Sequence, residues 1–255
     1  MPATAPRRFT RLVRAALCTG AALAATACGP FSGASDEQDG PFPGMSGPEI
    51  ADKAAKATSK ATSLTVDFAG DTTDGNIKAY MSIDSKGDCK GTLTLGGTGT
   101  AELVRAGDTA YMRFDEAFLR SQNEGGTAEE NAEVLKALGG RWLKEEASSP
   151  EAKEQLQFCE LDTFLGEFRE GFSLIRRGET TTLQGKQVVV LTEKDGDASY
   201  KFYVAAEGEP YVLKVEQKGG EEPATMTFTD FNKPLGPIEP AAKDVIDQHK
   251  TQPGQ

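Results

Sequence analysis

The side chains able to do chemistry are few, and their spacing argues against most reactions. The single histidine, His249, lies five residues after Asp244 in a Gln- and Lys-rich tail. A Ser-His-Asp or Cys-His relay needs its base within hydrogen-bond reach of a nucleophile, so that tail would have to fold back over the domain. The 39 Asp and Glu against 28 Lys and Arg are spread along the chain like a solvated surface. They do not single out one acid and one base. There is no phosphate-cradling glycine loop and no GxGxxG at a strand–helix junction. Cys89 and Cys159 stand alone, without the close-spaced partners that zinc needs. The sequence therefore reads as a non-enzyme with no cofactor and no metal.

The other two cysteines lie near the start. Residues 1–14 carry Arg7, Arg8, Arg11 and Arg14 and no acid, and an Ala-rich apolar stretch follows to Ala27. That stretch is shorter than the roughly 20 apolar residues a membrane span needs, so residues 1–27 read as a secretory signal. Residues 23–29 (LAATACG) resemble the bacterial lipobox, whose cysteine thiol receives diacylglycerol and becomes the new N-terminus. Here that cysteine is Cys28, and Ala25 stands where the lipobox usually carries Leu. The competing reading is a plain secretory signal with an incidental cysteine. Residues 28–45 are rich in Gly, Pro, Ser and acid and have no apolar period, which predicts a flexible tether. Removing residues 1–27, with four arginines and no acid, takes the net charge from −11 to −15. So acidic a chain should avoid nucleic acid and anionic headgroups, leaving attachment to the outer membrane face to Cys28. In an exported chain Cys89 and Cys159 read as a disulfide, with two free thiols as the alternative.

These residues need a scaffold. Ser46, Pro48, Glu49 and Asp52 open a helix running to about Thr62, with Ile50, Ala54, Ala57 and Ala61 as its apolar stripe. The period then changes to two. Leu64, Val66 and Phe68 alternate with polar residues, as do Ile77, Ala79, Met81 and Ile83, and short strands follow through Leu95, Leu103 and Phe114. Asp115–Asn123 and Thr127–Leu138 read as helices, the second with a capping box at Thr127 and Glu130. Arg141–Lys144 is a short strand, and Ser148–Pro150 starts another helical piece. Phe158, Leu161, Phe164, Leu165 and Phe168 mark one apolar helix ending near Gly171. Strands return over 172–175, 187–192, 199–204, 211–216 and 225–231, then an extended tail with a last helical turn. Helix, strands, helices, strands is an α+β order with one large antiparallel sheet. The predicted folded domain is 46–250, with 251–255 as a loose tail.

The exported cysteine, acidic tether, helix, meander, central helices and second meander together resemble the LppX/LprG lipoproteins and, more distantly, LolA-type carriers. The local pieces that carry this are residues 185–191 (GKQVVVL), 202–204 (FYV), 209–213 (EPYVL) and 229–240 (TDFNKPLGPIEP). The resemblance runs over about residues 46–247. It implies an unclosed antiparallel β-half-barrel with helices over its concave face, and carriage of a lipid or amphiphile in the cell envelope. Val66, Phe68, Met81 and Met112 from the sheet, with Phe158, Phe164, Leu165 and Phe168 from the helix, are the cavity candidates; each would otherwise be core. Trp142 would cap the mouth or serve as a half-buried anchor. The alternative is a non-catalytic interaction lipoprotein with a filled core.

Overall fold

The structure, a computed structural model, describes residues 40–72, 75–96, 98–166, 174–220, 222–236 and 239–247. The sequence predicts strands wherever apolar residues alternate, and nearly all of them form. The first meander is β1 (Ser63–Thr72), β2 (Gly75–Asp84), β3 (Cys89–Leu95), β4 (Thr100–Ala106), β5 (Thr109–Phe114) and β6 (Trp142–Glu146). The second is β7 (Arg176–Leu183), β8 (Lys186–Asp195), β9 (Ala198–Ala205), β10 (Val212–Lys218) and β11 (Ala224–Thr229). A short β12 (Val245–Asp247) ends the described chain.

All twelve join one unclosed sheet in the order β12-β6-β5-β4-β3-β2-β1-β11-β10-β9-β8-β7. The two meanders meet where β1 pairs with β11, Val66 opposite Phe228 and Phe68 opposite Met226. Every pairing is antiparallel except β12 on β6. With helices on its inner face, this is the expected α+β half-barrel. Hairpin chemistry fixes the register: Gln184 and Gly185 both have positive φ, 49° and 80°, as a two-residue turn twisted to match its strands requires.

Helix α1 (Gly47–Thr58) lies over the inner face, reaching β7 and β10. Its buried side is Ile50, Ala51, Ala54, Ala55 and Thr58, broader than the predicted stripe. The buried Thr58 Oγ1 accepts from the Val212 amide at 2.9 Å, tying the helix end to β10. Ser46 begins the helix by donating both its N–H and Oγ–H to Glu49, at 2.8 and 2.7 Å, and these bonds hold the Glu49 carboxyl below its usual range. Small residues on α1 let the helix approach the sheet closely; a Cβ on Gly47 would lie 2.6 Å from the Arg177 backbone.

Pro41–Met45, predicted as tether, are held against the sheet. Arg177 donates to the carbonyls of Pro41, Phe42 and Met45 at 2.8, 2.9 and 3.0 Å. Phe42 and Met45 also pack on the core.

The central helices are α2 (Glu116–Ser121), α3 (Ala128–Leu138), α4 (Pro150–Gln155) and α5 (Leu161–Leu165). The predicted single apolar helix is broken: a 3₁₀ turn, Leu156–Cys159, precedes α5, with extended Glu160 between them. Cys159 bonds Cys89 across 70 residues, with Cα atoms 5.4 Å apart. The bridge pins this turn to the inner face of β3, as expected for an exported chain. The strand predicted over 172–175 is displaced: Leu174 and Ile175 are not strand, and β7 begins at Arg176. Residues 172–173 lie outside the described residues.

After β11 the chain crosses the convex face as a strap. Ser63 Oγ donates to the Lys233 carbonyl at 2.7 Å, and Lys90 Nζ to that of Leu235 at 3.1 Å. Near this crossing Val104 and Tyr111 are only 6% and 8% exposed although they point outward. Burial, then the Glu239 charge, raises the Tyr111 pKa.

Candidate functional site

Cross-strand register divides the inner face into rows, because residues directly opposite one another share a face. One row runs Phe228–Val66–Met81–Gly91–Leu103–Met112–Leu143. The next, toward the β2–β3 turn, runs Leu64–Ile83–Cys89–Arg105–Ala110. These two rows are closed: Phe228, Leu64, Val66, Ile83 and Cys89 are 0–1% exposed and belong to the core. Gly91 belongs here because a Cβ would run into the Tyr80 carbonyl and the Met81 sulfur. The Met81 side chain thus lies over the glycine and fills the space.

The third row behaves differently. It runs Arg177–Leu191–Phe202–Val215–Met226–Phe68–Ala79–Leu93–Ala101–Phe114. Leu191 and Phe202 are buried, at 1% and 7% exposure. From Val215 to Phe114 every member is half-buried. Beyond it Leu95, opposite Ile77, is 39% exposed. This stretch crosses seven strands and carries no charge. At about 4.8 Å per strand it extends about 29 Å along the sheet. An acyl chain occupies about 15 Å of a bilayer leaflet, so one fits along it. The inner face is therefore closed core toward the β2–β3 turn and an open apolar row toward the other end.

The cavity candidates divide accordingly. Val66, Met81 and Leu165 are 1–2% exposed and belong to the core cluster, and Met112 is buried at 6%. Phe68 alone among them lies on the open row, its ring over Gly70, where a Cβ would sit 2.8 Å from Phe68 Cζ. Phe158 is 39% exposed on the 3₁₀ turn. The Phe164 side chain, Phe168, Cys28 and His249 lie outside the described residues. Met226, Val215, Ala79 and Leu93 were not singled out from sequence; their alternation was visible, but their place on the half-buried row follows only from register. Trp142 is a half-buried anchor on the convex face: the Arg113 guanidinium lies 4.6 Å from its ring centroid and is itself paired to Glu102.

Charged groups lie elsewhere. A cleft of about 500 Å³ between α1, the β2–β3 turn and α5 is lined by Lys60, Lys86 and Arg105 with Asp84, Glu160 and Asp162. Another, of about 680 Å³ beside β6 and β12, is lined by Asp108, Lys144, Glu145, Glu146 and Asp247. Neither suits an acyl chain. Tyr203, on the convex face, is pushed up to about 12 by burial and by its bond to Glu216. The Glu216 carboxyl is held down, mainly by Lys214, whose Nζ lies 2.6 Å away. These shifts belong to a cluster on the opposite face of the sheet from the row. Among the described residues no group of three or more His, Cys, Asp or Glu is placed to hold a metal ion, and no helix is long and apolar enough to cross a membrane.

Fold and face together define an unclosed half-barrel with an apolar inner surface, and a solved structure shares the fold. The chain is similar to LprF from Mycobacterium bovis, at 11% identity over 77% of this chain and 97% of that one, with a TM-score of 0.52. It is also similar to the Mycobacterium tuberculosis lipoprotein LppX, at 14% identity over 73% and 96%, with a TM-score of 0.46. No family model and no curated sequence matches the chain. The likeness is one of fold.

Proposed function

We propose that this chain is a non-catalytic, exported lipoprotein that takes the acyl part of a lipid or other amphiphile along the open row of its inner face. Cys28 carries the lipid anchor and holds the domain at the extracytoplasmic surface. The observation that carries the reading is the half-buried row from Val215 through Met226, Phe68, Ala79 and Leu93 to Phe114. Continuous apolar surface of this extent on a concave face is where an amphiphile gains most from leaving water. The fold shared with LprF is compatible with this use.

The test uses the mature chain with Cys28→Ser, which bears no acyl groups of its own. An environment-sensitive fatty probe should bind it saturably and be displaced by unlabelled long-chain amphiphile. Leu93→Glu and Met226→Glu should weaken that binding at least tenfold while leaving the far-UV spectrum unchanged. Absence of saturable binding, or equal affinity in both variants, defeats the proposal. It would favour the second reading, a lipoprotein acting through its surface, which gains support from the self-filled packing at Gly91 and Gly70.

A further inference from the structure

Two residues beyond the open row along each strand, about 7 Å away, the same face ends in a rim. In cross-strand register the rim runs Glu193–Tyr200–Gln217–Ala224–Gly70–Ile77–Leu95. From Ala224 to Leu95 it is apolar, like the row beneath it. On β8, β9 and β10 it is polar: a carboxylate, a phenol and an amide stand directly opposite one another. Three adjacent strands place them within about 10 Å. All three side chains are half-buried. The Tyr200 ring packs on the core and stacks with Phe202, centroids 6.4 Å apart. Among the described residues none of the three side chains makes a hydrogen bond or an ion pair.

The trio has one chemical bias. A carboxylate only accepts hydrogen bonds, and the tyrosine hydroxyl and the glutamine amide oxygen accept as well. Among the described residues no Lys or Arg faces inward on this rim. Lys194, Lys201 and Lys218 alternate onto the convex face. Arg177, one row lower on β7, donates to the carbonyls of Pro41, Phe42 and Met45. Asp195, opposite Ala198, adds a second carboxylate on the inner side of the β8–β9 turn. An anionic head would therefore meet repulsion and few donors. A primary ammonium, with three N–H donors and a positive charge, matches three acceptors of which one is charged.

We infer that Glu193, Tyr200 and Gln217 form a headgroup subsite that selects amphiphiles carrying a primary ammonium. This rests on the proposed acyl-binding row. The row is closed at Leu191 and Phe202 and opens at Val215, and Gln217 follows Val215 on the same face of β10. The trio thus stands over the start of the open stretch. With its cation among these three groups, an amphiphile lays its chain from Val215 across β11, β1 and β2 toward Phe114. Glu193 supplies the opposite charge, while Tyr200 and Gln217 fix the direction of the N–H bonds.

The test compares three heads on one chain. Decylamine, decanol and decanoate would each be titrated calorimetrically into the Cys28→Ser chain, below micelle concentrations, at neutral pH and physiological salt. Decylamine should bind at least about tenfold tighter than decanol, and decanoate more weakly than either. Glu193→Gln should weaken decylamine about tenfold and leave decanol unchanged. Tyr200→Phe and Gln217→Leu should each weaken decylamine by a smaller factor, with far-UV spectra unchanged in every variant. The whole chain is acidic, so Glu207→Gln is the control. It removes the same charge beyond the opposite end of β9 and should leave all three affinities in place. Equal affinity for decylamine and decanol, or an equal decylamine loss in Glu207→Gln and Glu193→Gln, overturns the inference and leaves the acyl-binding row standing. Glu193-dependent decylamine binding with no decanol binding removes the row and leaves the subsite. Binding of none of the three overturns both.

Discussion

Replacing Cys89 and Cys159 together by alanine should destabilise the domain by about 4 kcal/mol. The bridge closes 70 residues, and the chain-entropy relation for a loop of that length gives about 4.4 kcal/mol at 25 °C. Both cysteines are fully buried, so the alanines also leave small voids that add to the loss. In urea, with a slope of about 2 kcal/mol/M, the midpoint should fall by about 2 M. The loss should have a local face as well. Leu161 and Leu165 are 7% and 1% exposed on a helix of five residues. So short a helix has little stability of its own, and the adjacent bridge is what fixes it. Amides of Leu161–Leu165 should therefore exchange with solvent faster than those of β1. The assay is urea unfolding followed by far-UV dichroism, with hydrogen exchange on the same samples. A midpoint shift below about 0.5 M at unchanged slope would refute the loop-closure reasoning.

Gly91→Ala should cost about 1–3 kcal/mol in thermal unfolding, because its methyl meets the Tyr80 carbonyl and displaces Met81; wild-type stability would show that the strand yields there. At alkaline pH, Tyr203 stays neutral in the fold up to about 12, whereas an unfolded tyrosine ionises near 10. Folding then keeps a proton that the unfolded chain releases, so stability present below pH 10 should be lost as pH rises toward 12. Tyr203→Phe should flatten that loss in denaturant midpoints measured across the range. Helix α3 has no buried residue, so its amides should exchange by local opening. Thr127→Ala should speed that exchange while leaving the global melting temperature in place.

Much of the fold was legible because alternation and turn chemistry are local. The Leu64–Val66–Phe68 alternation and the Thr127–Glu130 capping box each announce themselves within a few residues. Strand β7 did not, because its sequence RRGETTTL is an exposed edge with no apolar alternation to read. Phe158 to Phe168 looked like one helix because the spacing fits, but the chain turns extended at Glu160, where the neighbouring disulfide draws Cys159 onto β3. The candidate site was half legible. Apolar type told which residues face inward, while the division into closed core and open row emerges only from cross-strand register and burial. Phe68 and Val66 are two residues apart and chemically alike, yet one lies on the open row and the other in the core.

The pairing of β1 with β11 also sets an order of events. Val66 and Phe68 can pair with Met81 and Ala79 on β2 early, but their partners on β11, Phe228 and Met226, come about 160 residues later in the chain. Until then β1 to β5 can pair among themselves and Cys159 can reach Cys89, but one long edge of β1 has nothing to bond. Such an edge, LTVDFAG in sequence, invites pairing with other chains and slows completion of the sheet. A chain stopped anywhere before Thr229 would be less a smaller domain than an unfinished one with a sticky border, and quality control in the cell would meet it as such.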